Sequence, residues 1–144
     1  MAALTLAHAT TILDAARAEA RRRSFEPLAI AVLDSGGHLV AFQREDGAGF
    51  ARYPIAYGKA WGALGMGFGT AELAARAARF APFVTAVAAA TEGRMIPSPG
   101  GVLILDTQGE AIGAVGISGD SGENDQICAL AGIEAAGFNA KAGA

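Results

Sequence analysis

The chain has 144 residues, 52% of them hydrophobic and 17% charged, with a formal net charge of −3 and a mean hydropathy of +0.34. That length suits a single domain over residues 1–144; the acidic balance argues against nucleic acid, which needs a basic footprint, and no apolar run is long and glycine-free enough to span a membrane. So much apolar surface without a membrane predicts burial between subunits, hence a homo-oligomer.

Met1–Ala9 has no basic segment followed by an apolar core, so no signal peptide is expected. Thr5 reads as an N-cap, and Leu6 to about Arg23 as a helix with Ala9, Ile12, Leu13, Ala16 and Ala20 on one face. Arg17, Arg21, Arg22 and Arg23 form the one short basic cluster, read as the solvated end of that helix. Leu28–Asp34 and His38–Arg44 predict a hairpin around Ser35-Gly36-Gly37. A polar loop, Glu45–Ala51, leads to Pro54 in the first turn of a second helix, which Gly62, Gly65, Gly67 and Gly69 weaken and end. Glu72–Ala90 is alanine-rich and reads as helical in part, broken near Pro82. After the loop Arg94–Gly101, Val102–Asp106 and Glu110–Ser118 predict a second hairpin. Glu123 to about Ala136 reads as the last helix and Asn139–Ala144 as a loose tail. Cys128, the single cysteine, lies in an apolar stretch and reads as a buried, inert thiol. Together these features predict a cytoplasmic protein.

One phrase occurs twice. Ala31–Ala41 reads AVLDSGGHLVA and Leu103–Gly113 reads LILDTQGEAIG, each an apolar run, an Asp, a turn with Gly, and a second apolar run. Two antiparallel hairpins with helices before, between and after them make the class α+β. The second hairpin is nearly all apolar, so it is expected at the centre of the sheet or at a subunit contact.

The ordered set Leu4-Thr5-Leu6, AVLDSGGHLVAFQREDGA, IAYGKAWGALGM, PGGVLI and GAVGISGDSGENDQICALAG resembles the GlcG/HbpS family, the haem-degrading domain family. Similar domains end some cobalamin adenosyltransferases. The resemblance runs from Leu4 to Phe138. It implies a profilin-like α+β fold with a mainly antiparallel sheet, homo-oligomers, and small-molecule pockets at or near subunit contacts. It makes haem or a corrinoid the cofactor to test. The family lysine matches Lys59, and the Pro-Gly-Gly segment that borders the family pocket matches Pro99, Gly100 and Gly101. The chain departs from the family pattern at His8, where an acid often completes a capping box, at Arg52-Tyr53-Pro54 and Tyr57, and in the longer middle Phe68–Gly93.

Lys59 is a single charge in an apolar helix, and Arg52 seven residues earlier points to nearly the same side. Ammonium and guanidinium together suit a carboxylate or phosphate. Tyr53, Tyr57 and Trp61 form a neighbouring aromatic strip. The competing reading has Lys59 pairing with an acid of another subunit and the aromatics as core. On the functional reading, Lys59→Ala keeps the fold and loses ligand. The turn Ser118–Asp125 offers backbone N–H groups and a helix N-terminus, yet its own acids favour self-capping; Ser118 is kept as a ligand contact, and Asp125 or Glu123 as a general base. Arg94 adds an anion contact beside Pro99-Gly100-Gly101. A haem iron takes His, Cys, Met or Tyr. His8 and His38 lie in no recognisable ligand motif, which leaves Tyr53, Tyr57 and Met66 against packing.

Three readings follow. One is an oligomeric domain whose intersubunit pocket holds an anionic or aromatic metabolite, including haem or another tetrapyrrole. Another is a cofactor-independent isomerase, tautomerase, hydratase or decarboxylase acting on a small oxygenated acid, with Lys59 and Arg52 stabilising charge while Asp125, Glu123 or Tyr57 moves a proton. The last is structural, with an interface packed shut around Lys59. No metal site is expected.

Overall fold

The computed structural model describes residues 3–144. Of the stretch Met1–Ala9, Met1 and Ala2 lie outside the described residues. Thr5 opens α1 (Leu6–Arg22): its hydroxyl accepts from the His8 backbone N–H at 3.1 Å, and His8 Nδ1 accepts from the Thr5 N–H at 3.3 Å. Histidine thus closes the capping box that an acid ordinarily closes.

The two predicted hairpins form. β1 (Ala29–Asp34) pairs with β2 (Leu39–Arg44), and β3 (Gly101–Leu105) with β4 (Ala111–Ser118). β1 also pairs with β4, from Ala29 opposite Ser118 to Asp34 opposite Gly113. All pairings are antiparallel, and the strand order is β2-β1-β4-β3-β5. This is the expected α+β, profilin-like architecture, with the second hairpin's β4 at its centre. The segment expected as a loose tail instead supplies β5 (Asn139–Lys141), paired to β3 through Leu103 and Lys141. Gly137, at φ +85°, turns the chain back after the last helix, and the open edge of β3 provides unpaired backbone groups for it to meet.

The repeated phrase folds into the same loop twice. Asp34 Oδ1 accepts from the N–H groups of Gly36 and His38, both at 2.9 Å, and Asp106 Oδ1 from those of Gln108 and Glu110, also both at 2.9 Å. The third residue after each Asp, Gly37 or Gly109, sits at φ +81°, a conformation that costs glycine little. Because β1 and β4 run in opposite directions, both turns stand at one end of the sheet.

One face of the sheet carries Ile30, Val32, Val102, Ile104, Val115 and Ile117 against α1 and α5 (Gly122–Ala135). Cys128 is buried there, and burial pushes its thiol up to about 12. The other face mixes small residues, Ala29, Ala31 and Ala114, with Leu33 and Leu103, and α2 (Arg52–Met66) lies directly upon it through Ala56, Ala60 and Ala63. A Cβ at Gly116 would run into the Ala56 carbonyl, and one at Gly101 into that of Lys59. The middle of the chain forms α3 (Thr70–Arg79) and α4 (Ala81–Ala90). The break falls at Phe80; Pro82 lies in the first turn of α4, where its missing N–H costs nothing. No helix among the described residues is long and apolar enough to cross a membrane.

Candidate functional site

Seven of the residues singled out in the sequence converge at the end of the sheet opposite the hairpin turns. Lys59 reaches from α2 around the sheet end, with only 3% of its side chain exposed. Its Nζ donates to the Ile117 carbonyl at 2.8 Å and to Asp125 Oδ2, in the first turn of α5, at 3.1 Å. Asp125 is 1% exposed, and its Oδ1 accepts from the Asp120 N–H at 2.9 Å. The acid facing Lys59 therefore belongs to the same chain. Gly100, at φ +124°, passes over this pair: a Cβ there would lie 2.9 Å from Lys59 Nζ. Gly101 follows against Lys59's backbone, and Pro99 packs on Gly122. Arg52 donates to the buried Ser118 hydroxyl at 3.2 Å.

Burial pushes the Lys59 ammonium down, and Asp125 opposes that shift. Burial likewise pushes the Asp125 carboxyl up, against the pull of Lys59. Desolvation of both charges is the larger effect, which is the usual cost of a buried ion pair. The polar atoms of the pair are turned on each other and on the backbone. An alanine at position 59 would leave Asp125 buried without its cation, so the expectation that Lys59→Ala keeps the fold does not suit this geometry.

The turn after β4 caps itself. The Asp120 carboxylate accepts from the Glu26 N–H (2.7 Å), the Ser121 N–H (2.7 Å) and Asn124 Nδ2 (2.8 Å). Ser121 Oγ accepts from the Asn124 N–H at 3.2 Å. Glu123 is exposed. Two other candidates are directed elsewhere. Tyr57 donates to the Gly37 carbonyl at 3.2 Å, in the first hairpin turn, and so braces the opposite end of the sheet. The Arg94 guanidinium lies 4.9 Å from the Trp61 ring, with Nη2 3.9 Å from Glu92. Tyr53 is partly exposed, edge-on to Phe42 at 4.8 Å and 6.2 Å from Tyr57. Thr70, not singled out in the sequence, accepts from the buried Gly101 N–H at 2.8 Å and so fixes the glycine pair over Lys59.

A concavity lies at the other end. A cleft of about 720 Å³ opens between the two hairpin turns, with Leu4, Ala111 and Ile112 as apolar walls and His38, Asp106 and Glu110 as polar ones. That volume falls in the range of small-molecule and cofactor sites. The His38 side chain is 81% exposed, and its Nδ1 lies 3.1 Å from Asp34 Oδ1. The repeated phrase was the sequence signal for both walls, but each copy alone reads as an ordinary turn.

Residues 4–134 match the sequence family described as haem degrading protein HbpS-like. The chain belongs to that family. The HbpS-like chain is similar to the uncharacterized 15.0 kDa protein in the dhaT-dhaS intergenic region of Citrobacter freundii, with 29% identity over 134 residues, 93% of this chain and 92% of that protein. Among solved structures, a PduOC:haem complex superposes with a TM-score of 0.86 at 26% identity, covering 96% of this chain and 98% of the other. The Klebsiella pneumoniae protein ORFY superposes with a TM-score of 0.82 at 28% identity, covering 92% and 89%.

Proposed function

We propose that this HbpS-like chain is a haem-binding domain that works as a homo-oligomer. The observation that carries the reading is the end-to-end likeness to a domain solved with haem, at a TM-score of 0.86. The cleft between the hairpin turns has the volume of a small-molecule site and presents an imidazole to solvent, but its walls carry Asp34, Asp106 and Glu110 and no cation to meet a propionate, so haem is not assigned to it. A bound haem would supply an iron centre with open coordination positions; the protein's part is to wall the macrocycle and exclude competing ligands.

The end around Lys59 has a different part in this proposal. Arg52, held by the buried Ser118 hydroxyl, is the cation at this end suited to a carboxylate, with the Lys59–Asp125 pair and Pro99-Gly100-Gly101 behind it. The isomerase or decarboxylase reading draws its proton carriers from Asp125, Tyr57 and Glu123. Asp125 is held by Lys59, Tyr57 braces a hairpin at the far end of the sheet, and Glu123 faces water. The geometry therefore favours binding over that chemistry.

The test is a titration of the purified protein with ferric haem, followed in the Soret region. A saturable, shifted band is expected. A spectrum identical to haem in buffer alone overturns the reading.

A further inference from the structure

We infer that α4 is a self-association helix: two copies of this chain pair their α4 segments antiparallel about a two-fold axis at Thr85 and Ala86. This deepens the homo-oligomer part of the proposed function and does not depend on its haem part. From Phe80 to Thr91 the chain carries no charge, yet seven of the ten residues of α4 are exposed. Val84 and Val87 turn inward to Phe68, Leu73 and Met95. Pro82, Thr85, Ala86 and Ala89 fall at i, i+3, i+4 and i+7 and form the opposite stripe, open to water. Phe80 and Phe83, 63% and 45% exposed, add roughly 200 Å² of aromatic surface at its start. An apolar patch of that kind marks an interaction site rather than an ordinary solvent face.

Charge and shape along the helix favour a second copy as the occupant and set its direction. Arg79 and Glu92 lie equally far from the middle of α4, so antiparallel pairing brings Arg79 level with the partner's Glu92 at both ends. Their side chains are 64% and 84% exposed; within the chain Arg79 meets Glu72 at 3.2 Å and Arg94 meets Glu92 at 3.9 Å. The same pairing sets bulky against small: Phe83 comes level with the partner's Ala88, and Pro82 with the partner's Ala89. Parallel pairing would set Arg79 against Arg79 and Phe83 against Phe83. The small residues of the stripe let two helix axes approach to about 8 Å. The stripe is then the apolar centre, and the charged ends the polar rim, of an interface that covers about 800 Å² per partner when stable. A helix lying on a membrane surface would carry Lys or Arg on its polar face, and α4 has neither.

Native mass spectrometry and analytical ultracentrifugation are run on wild type, Ala86→Arg, Arg79→Glu, Glu92→Arg and the double reversal, with helical circular dichroism to show that each folds. Ala86→Arg buries a charge at the axis and is expected to lower the subunit number. Each single reversal should weaken association roughly two- to fivefold, as rim charges do, and the double reversal should recover it. Direction is read from Ala86→Cys and Ala90→Cys under mild oxidation, which also serves if Ala86→Arg does not fold. Two antiparallel copies hold their residues 86 side by side, whereas their residues 90 stand about 14 Å apart along the axis, beyond disulfide reach. Ala86→Cys should therefore link into a dimer and Ala90→Cys should not. If wild type is an oligomer and Ala86→Arg, folded, keeps its subunit number, or if Ala90→Cys links as readily as Ala86→Cys, this pairing is wrong while self-association stands. If wild type is a monomer, both fall.

Discussion

Asp125→Asn keeps an acceptor for the Asp120 N–H but removes the anion facing Lys59, leaving an ammonium buried to 3% exposure against the Ile117 carbonyl. Breaking one side of a buried pair costs about 3–5 kcal/mol. At roughly 2–4 °C per kcal/mol for a chain of this size, melting should fall by roughly 6–20 °C. Lys59→Met should cost a similar amount, because Asp125 is then the orphan. The double variant removes both desolvated charges and is expected within about 1 kcal/mol of wild type, or above it. Guanidinium unfolding followed by Trp61 fluorescence and helical circular dichroism, at one fixed protomer concentration, measures all four corners of the cycle.

The pH dependence has a definite sign. Asp125 is raised in the fold, so between its unfolded value of 3.8 and its folded value the native state holds a proton that the unfolded state has lost. Wild-type stability therefore falls, relative to the double variant, as pH rises through that window. Lys59 is lowered, so between its folded value and 10.5 the unfolded state holds the extra proton, and relative stability rises with pH there. The double variant's advantage should be greatest near neutrality. Single variants within 1 kcal/mol of wild type, or a double variant as unstable as the two singles summed, would refute the account of this pair.

Three further outcomes are expected. Gly116→Ala should prevent normal docking of α2, because its Cβ meets the Ala56 carbonyl; soluble yield and cooperative melting should both be lost, whereas Gly49→Ala, with open space around it, should fold normally. Thr5→Ala should cost about 1 kcal/mol in a denaturant melt through loss of the α1 cap, while His8→Glu, restoring the usual partner of the box, should cost little. Phe50 and Phe80 are 85% and 63% exposed on the single chain; native mass spectrometry should show an oligomer, and replacing both with Ser should lower the subunit number. A wild-type monomer would count against self-association.

Much of the fold could be read locally. Asp34 and Asp106 each bind amides two and four residues ahead, and Gly37 and Gly109 lie three ahead, so each hairpin is encoded within a few consecutive residues. Thr5 and the periodic face of α1 are of the same kind. The candidate site was legible only as a set of residue types. That Lys59 meets Asp125, 66 residues away, follows from where the sheet places α2 and α5, and no spacing along the chain contains it. Helical spacing put Lys59 and Arg52 on one side of α2 correctly, but it could not say that the lysine turns inward while Arg52 stops at Ser118. The tail misled for a related reason: Asn139–Lys141 has little strand character of its own and is ordered by the free edge of β3.

What the sequence alone determined was therefore each hairpin, the Thr5 cap of α1 and the α+β class, since these depend on contacts between near neighbours in the chain. Tertiary structure alone decided that the two copies of the Asp-Gly phrase face each other across a cleft and that His38 stands on its wall. The physical reason is the antiparallel pairing of β1 with β4, which carries two distant turns to the same end of one sheet.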